Sequence, residues 1–523
     1  MVPQARRGPR ARRPPLTPTL SPFGEREPCR ELHRDEPSGI GVYSRRVTIE
    51  RPKTIDDPTL VNDDLRPTPE SGRTWGTWNI AALWVGMAVC VPSYTLASSL
   101  IANGLAWWHA LLAVALGNAI VTVPMVLNAH PGTKYGIPFP VLARASFGTV
   151  GANVPAVLRA LVACGWFGVQ TWYGGEAIYK LVKAIHPESL GLPQPIPEWI
   201  GVSTGPFIAF LLFWCVNVFF IWRGTESIKW LETLAAPFLI VAGLALLVWA
   251  WARTGGAPML GPGKALEGPG AWASVFFPSL TAMVGFWATL SLNIPDFSRF
   301  AKSQRAQIRG QIIGLAPTMS LFAFIGIAVT SATPTLFGVQ EPIWNPIDVV
   351  SRIGGALMLV VSMLALSIAT LSTNIAANVV SPANDFSNLA PGKLSYKGGG
   401  YLTAVLGILI LPWKLIESSH GYIFTWLIGY SALLGPIAGI MLADYYLIRN
   451  RELVVEELYR HDGRYGRWNG AALIALVIGV LPNVPGFLAE ASPRYFKDLV
   501  PGFFSTVYQY AWFVGLAISM GVY

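Results

Sequence analysis

Charge is scarce in this chain. Asp, Glu, Lys and Arg make up 13% of 523 residues, against 52% hydrophobic residues. Soluble domains carry about 25% charged residues. An ordinary soluble enzyme is therefore excluded, and a mean hydropathy of +0.46 indicates a polytopic membrane protein. Cysteine is scarcer still. Cys29, Cys90, Cys164 and Cys215 show no paired spacing, so neither a disulfide framework nor a zinc site is inferred. The six histidines (His33, His109, His130, His186, His420 and His461) fall in the tail, in loops or at segment ends. There is no H-E-x-x-H and no ATP-binding P-loop. An intramembrane enzyme needs a nucleophile with its base, or paired carboxylates, at membrane depth. No enzyme and no cofactor is expected. The net charge of +9 lies largely in an Arg-rich tail and alternate short loops, so no nucleic-acid partner is expected.

Residues 1–72 lack an apolar run. They are rich in Pro and Arg and are expected to be a disordered cytoplasmic tail rather than a signal peptide. The piece PLTPTLSPFGERE resembles a translated bacterial intergenic repeat, which leaves a start codon further downstream open.

What the chain does have is long apolar runs. Twelve are long enough to span a bilayer: 78–102, 106–128, 153–185, 205–222, 233–252, 272–294, 309–333, 356–381, 400–416, 422–447, 470–487 and 500–521. Many of the 20 Trp sit near their ends, as in aromatic belts. Lys and Arg concentrate in alternate loops, such as Arg299, Lys302, Arg305 and Arg309, which puts both termini in the cytoplasm. The expected fold is an all-α polytopic membrane protein of about 12 helices. Residues 73–450 would form a ten-helix transport core and 451–523 two additional helices.

Two segments carry breaks. Pro92 sits mid-span in the first, where it frees backbone carbonyls that can bind a cation. Gly285 sits mid-span in the sixth, and Pro295 closes it. Interrupted first and sixth segments suggest two inverted five-helix repeats with a site at their interface. Kinks alone also occur in ordinary membrane helices.

The eighth segment holds Ser372, Thr373, Asn374 and Asn378 in an otherwise apolar run. Such residues glue helices together, but they also line ligand sites. Ala369, Ser372 and Thr373 form one stripe, and Asn374 and Asn378 lie about 100–140° around the axis. One face can offer oxygens to a hard cation such as sodium while the other offers amides to a solute. In the third segment, Trp166, Gln170 and Tyr173 share a face, which suits a flat polar ring stacked on Trp166 and hydrogen-bonded by Gln170. Glu176 is expected to be solvated or paired with Lys180 one turn on, and Asp296–Arg299 and Asp444–Arg449 to form ion pairs at cytoplasmic helix ends.

The stretches GMAVCVPSY, GTKYGIPFPVLARASFG, GWFGVQTWYGG, GFWATLSLNIPDFSR, STNIAANVVSPANDF and GPIAGIMLADYY resemble the nucleobase-cation-symport-1 family of hydantoin, allantoin, uracil and cytosine permeases. The resemblance runs from about residue 72 to 450, with weaker support to 521. It implies two inverted five-helix repeats plus two extra helices, and alternating access. It implies that Trp166 and Trp287 sandwich the ring and that Gln170 and Asn378 bond its polar edge. Carbonyls of Gly86, Val89 and Ala369 with the hydroxyls of Ser372 and Thr373 would bind sodium. The tenth segment, around Tyr430 and Leu434, would be a thin outer gate. Asn374 and Cys90 complete the expected substrate contacts. Cys90 stands where relatives often bear an amide, which removes a polar contact.

The expected function is thus a cation symporter, coupled to Na+ or H+, that imports a neutral heterocycle of the allantoin, uracil or hydantoin type. A cytosine, purine or other small-solute symporter of the same fold remains an alternative, and a channel a remote one. A monomer in the lipid bilayer of a bacterial inner membrane is expected.

Overall fold

An apolar run in hydrocarbon has no water to satisfy its backbone, so it closes its N–H and C=O groups on itself as helix. The computed structural model describes residues 55, 57–186, 194, 196–223, 229–261, 263, 266, 268 and 270–523. Among them every one of the twelve expected segments is helical. Eight helices are long and apolar enough to cross a membrane, from Trp107–Tyr135 to Gly470–Ala491. The other four segments are broken. The first is Thr77–Ala88 and Val91–Ala102, bent by 58°. The sixth is Ala273–Phe286 and Ala288–Asn293, the ninth Tyr396–Leu409 and Pro412–Leu415, and the twelfth Gly502–Gln509 and Ala511–Val522.

Two of the short helices outside this count stand in matching places. Phe139–Phe147 follows the second segment and Pro346–Ser351 follows the seventh. The interval is five spans, an odd number, so the two short helices lie on opposite faces of the bundle. That is the pattern of two five-segment repeats with inverted topology.

The breaks are not where proline and glycine alone would put them. The first helix ends at Ala88, and Pro92 lies in the first turn of the next helix, where its missing N–H costs nothing. The Cys90 N–H turns to the Ala88 carbonyl at 3.1 Å, which leaves the Gly86 carbonyl out of the helical ladder. In the sixth segment the break falls at Trp287 (φ −102°, ψ 3°). Gly285 is needed for another reason: a Cβ there would stand 2.9 Å from the Leu427 carbonyl of the tenth segment. Pro295 does not close the segment but opens one further turn, Pro295–Ser298.

Most of the expected tail, residues 1–54 and 56, lies outside the described residues. Residues 57–72 are packed. Leu60, Val61 and Leu65 are buried. Arg144 donates to the Leu60 carbonyl at 2.8 Å, and the Tyr459 hydroxyl to that of Leu65 at 2.6 Å. Three apolar residues in an otherwise polar stretch are enough to seat it against the bundle.

Candidate functional site

The third segment, Asn153–Ile185, presents Trp166 and Gln170 to the two breaks. A cavity of about 30 Å³ lies there, lined by Trp166, Gln170, Cys90, Trp287, Thr373 and Asn378, together with Met87, Pro92, Phe286, Thr289, Leu290 and Ala377. Its volume suits about two waters, so a ring fits only once the walls part.

Gln170 is the residue that decides the character of this cavity. It is 4% exposed, and its Oε1 has no hydrogen-bond partner among the described residues. An unpaired buried acceptor costs about 1–3 kcal/mol, so its place in a cavity wall marks it for a ligand. Asn378 completes the polar edge. Its Nδ2 donates to Asn374 Oδ1 at 3.0 Å. Asn374 itself is not in the wall. Its amide is turned to the third and fourth segments, donating to the Phe167 carbonyl (3.3 Å), Thr171 Oγ1 (3.1 Å) and Asn217 Oδ1 (3.1 Å). With those bonds made, Asn374 orients Asn378 rather than facing the cavity.

The aromatic walls are fixed in the same way. Trp287 donates its indole N–H to Asn118 Oδ1 at 2.8 Å and packs edge-on to Trp84 at 5.3 Å. Phe286 stands edge-on to both Trp166 and Trp287, 5.0 Å from each. Above Trp166 lie Tyr422 (6.3 Å), Trp426 (6.2 Å) and Tyr430 (6.4 Å) of the tenth segment. Tyr430 donates to the Gly285 carbonyl at 2.9 Å, pinning the tenth segment to the sixth, and Leu434 is fully buried one turn on. Cys90 Sγ lies 3.2 Å from Ser93 Oγ.

The expected ion ligands lie beside the first break. Val89 and Ala369 share one apolar cluster. Thr373 Oγ1 donates to the Ala369 carbonyl at 3.1 Å, and Ser372 is buried next to it. Every expected donor is a neutral oxygen, a set that fits a hard monovalent cation by extension of hard-ion chemistry. Among the described residues no group of three or more His, Cys, Asp or Glu is placed to hold a metal.

Toward the face that carries the C-terminus the chemistry changes. Arg159 and Asp385 form an ion pair at 3.1 Å. Asp296 accepts from the Phe139 N–H (2.9 Å) and from Ser381 Oγ (2.7 Å). Arg299 instead donates to the Asp64 carbonyl at 2.7 Å, while Asp444 pairs with Arg449 at 2.8 Å.

The family model described as a permease for cytosine/purines, uracil, thiamine and allantoin matches residues 67–515. The chain belongs to the nucleobase-cation-symport-1 family. It is 48% identical to the purine-uracil permease of Arabidopsis thaliana over 89% of this chain and 78% of that one. It is 40% identical to the allantoin permease of Bacillus subtilis over 89% of this chain and 92% of that one. Among solved structures it is similar to Mhp1, a transporter of this family in a closed conformation with bromovinylhydantoin bound. That match has a TM-score of 0.70 and 26% identity over 88% of this chain and 94% of the other. This nucleobase-cation-symport-1 chain is thus a multi-pass membrane transporter, not an enzyme, and its work is cation-coupled transport of heterocyclic, nucleobase-like solutes.

Sequence reasoning did not single out Phe286, Asn118, Asn217 or the two short helices. Asn118 and Asn217 had a signal: each is an amide deep in an apolar segment, the same cue that pointed to Gln170.

Proposed function

We propose that the chain is a sodium symporter that imports a neutral, planar ring of the allantoin, uracil or hydantoin type by alternating access. The observation that carries this reading is the unpartnered Gln170 Oε1 in a cavity walled by Trp166 and Trp287. Such a wall stacks a flat ring, and the amide bonds an N–H in the ring plane. Asn378, steadied by Asn374, takes the opposite edge. A charged solute would need an ionic partner, and none of the residues lining the cavity is charged.

Sodium is held in this reading by the Gly86, Val89 and Ala369 carbonyls and the Ser372 and Thr373 hydroxyls. Thr373 also lines the ring cavity, so both ligands touch one helix and each stabilises the arrangement the other prefers. Tyr430 and Leu434 close the outer side. Both termini face the cytoplasm of a bacterial cell, and the working unit is a monomer.

The test is uptake of radiolabelled allantoin, uracil, hydantoin and cytosine into cells expressing the protein, with and without sodium. Saturable uptake of one ring, lost in Gln170→Ala, is the expected result. No uptake of any ring by protein shown to be folded in the membrane overturns the reading.

A further inference from the structure

The outer lid hangs on a carboxylate that the transport reading leaves unused. Asn345 precedes the short helix Pro346–Ser351 and is bonded on both sides of its amide. Its Oδ1 accepts from the Ile347 N–H at 3.0 Å, which caps the helix. Its Nδ2 stands 3.1 Å from one oxygen of Glu176 and 3.2 Å from the other. Next to it, Trp344 stacks on Tyr422 at 6.2 Å, and Tyr422 in turn packs against Trp166 over the cavity. The contact between Glu176 and Asn345 therefore ties the third segment, which carries the ring-binding residues, to the loop that covers them.

Among the described residues no cation is paired with this carboxylate. Lys180, one turn further along the third segment, reaches Asp348 of the short helix at 2.6 Å. Of the two expected arrangements for Glu176, solvation or a pair with Lys180, the pair is not formed: Lys180 is taken by Asp348. The groups facing Glu176 are Tyr173 and Lys180 on its own segment and Asp348 and Asn345 on the lid. Glu176 is partly exposed, so protons reach it from the outer water.

We propose that Glu176 is a proton site that latches the outer lid. Ionised, it accepts from Asn345 through a charge-assisted contact shared by both oxygens. When a proton binds, one oxygen becomes an O–H donor facing the Asn345 Nδ2, which can only donate, and the hold on the lid weakens. External acid therefore opens the outer side, in addition to any effect of the coupling ion. The inference rests on the cavity beneath the lid being the ring site.

Cys90 reports lid opening directly, since it lines that cavity. In a Cys29→Ser, Cys215→Ser background, its alkylation by a membrane-impermeant thiol reagent is followed from outside at fixed sodium. Between about pH 8 and pH 5, after correction for the reagent's own pH dependence, the rate should rise about tenfold. Glu176→Gln mimics the protonated acid and should be fast at every pH, changing less than about twofold. Asn345→Asp keeps the helix cap but sets two carboxylates face to face, so a shared proton should close the lid in acid and the profile should invert. A Cys90 rate in the parent background that ignores pH, or a Glu176→Gln variant that follows the parent profile, overturns the latch. Protection of Cys90 by added allantoin or uracil tests the ring site separately, so loss of protection with an intact pH profile would remove the site and leave the latch standing.

Discussion

On the face that carries the C-terminus, the inner one in the proposed orientation, Arg159 and Asp385 meet at 3.1 Å with neither side chain exposed at all. On the opposite face, the outer one in that orientation, Trp344, Tyr422 and Trp166 meet ring against ring at 6.2 and 6.3 Å. The two closures are built from different forces. A buried ion pair is directional, and separating its partners leaves each charge desolvated. Aromatic contacts at these distances are worth about 0.5–1.5 kcal/mol each beyond area burial and tolerate a range of angles. The inner side therefore opens all at once or not at all, whereas the outer side can loosen by sliding. In the proposed reading the thin gate is the aromatic layer directly over the cavity.

The largest break of this contrast is Asp385→Ala. It strands the Arg159 guanidinium and should destabilise the protein by about 3–5 kcal/mol. Thermal unfolding in detergent reads the loss. Replacing both partners at once, Arg159→Met with Asp385→Leu, should recover most of it; failure to recover would mean that the network does more than match charge.

Asp296→Asn comes next. It removes the charge from the bonds to the Phe139 N–H and Ser381 Oγ, at a cost of about 1.5–3 kcal/mol. The expected sign is a lower melting temperature together with greater accessibility from the cytoplasmic side. Unchanged accessibility would take Asp296 out of the inner closure.

Tyr430→Phe sharpens the outer half. It deletes only the bond to the Gly285 carbonyl, worth about 1 kcal/mol, and leaves the ring in place. Stopped-flow release of bound ring should quicken about fivefold, with little change in melting temperature. A large stability loss instead would show the tenth segment to be held as rigidly as the inner face.

The smallest effect concerns the exposed outer pair of His420 and Glu490, 2.7 Å apart. The hydrogen bond that His420 donates to the Glu490 carboxylate raises the His420 pKa above its usual value, outweighing the opposing effect of burial. A raised folded-state value stabilises below the unfolded pKa and fades as pH rises through the folded one. At this exposure the gain is about 0–1 kcal/mol. The melting-temperature gap between the parent and Glu490→Gln should therefore be present near pH 5.5 and vanish near pH 8.5. A gap that persists at the higher pH would assign it to packing.

Much of the fold was legible because a bilayer leaves an apolar run little choice but helix. The positions of Trp166, Gln170, Trp287 and Asn378 around one cavity followed from helical spacing and family resemblance together, whereas Thr373, expected on the ion-facing stripe alone, also lines that cavity. The place of Asn374 did not follow from them. An amide one turn from Asn378 looks like a second ligand until Asn217, on another segment, is seen to accept from it. The same limit hid Lys180, whose partner lies 168 residues away. It also hid the reason for Gly285, which is the approach of the tenth segment. Spacing reports what shares a face, whereas these contacts depend on what faces it.

The central claim is that ion and ring meet on the eighth segment. Equilibrium binding of the transported ring to purified protein, titrated across sodium concentration in the parent and in Thr373→Ala, tests it most directly. The account predicts that sodium tightens ring binding in the parent, that the ring tightens sodium binding by the same factor, and that Thr373→Ala removes most of both. Ring affinity that is independent of sodium, or coupling that survives in Thr373→Ala, would contradict it.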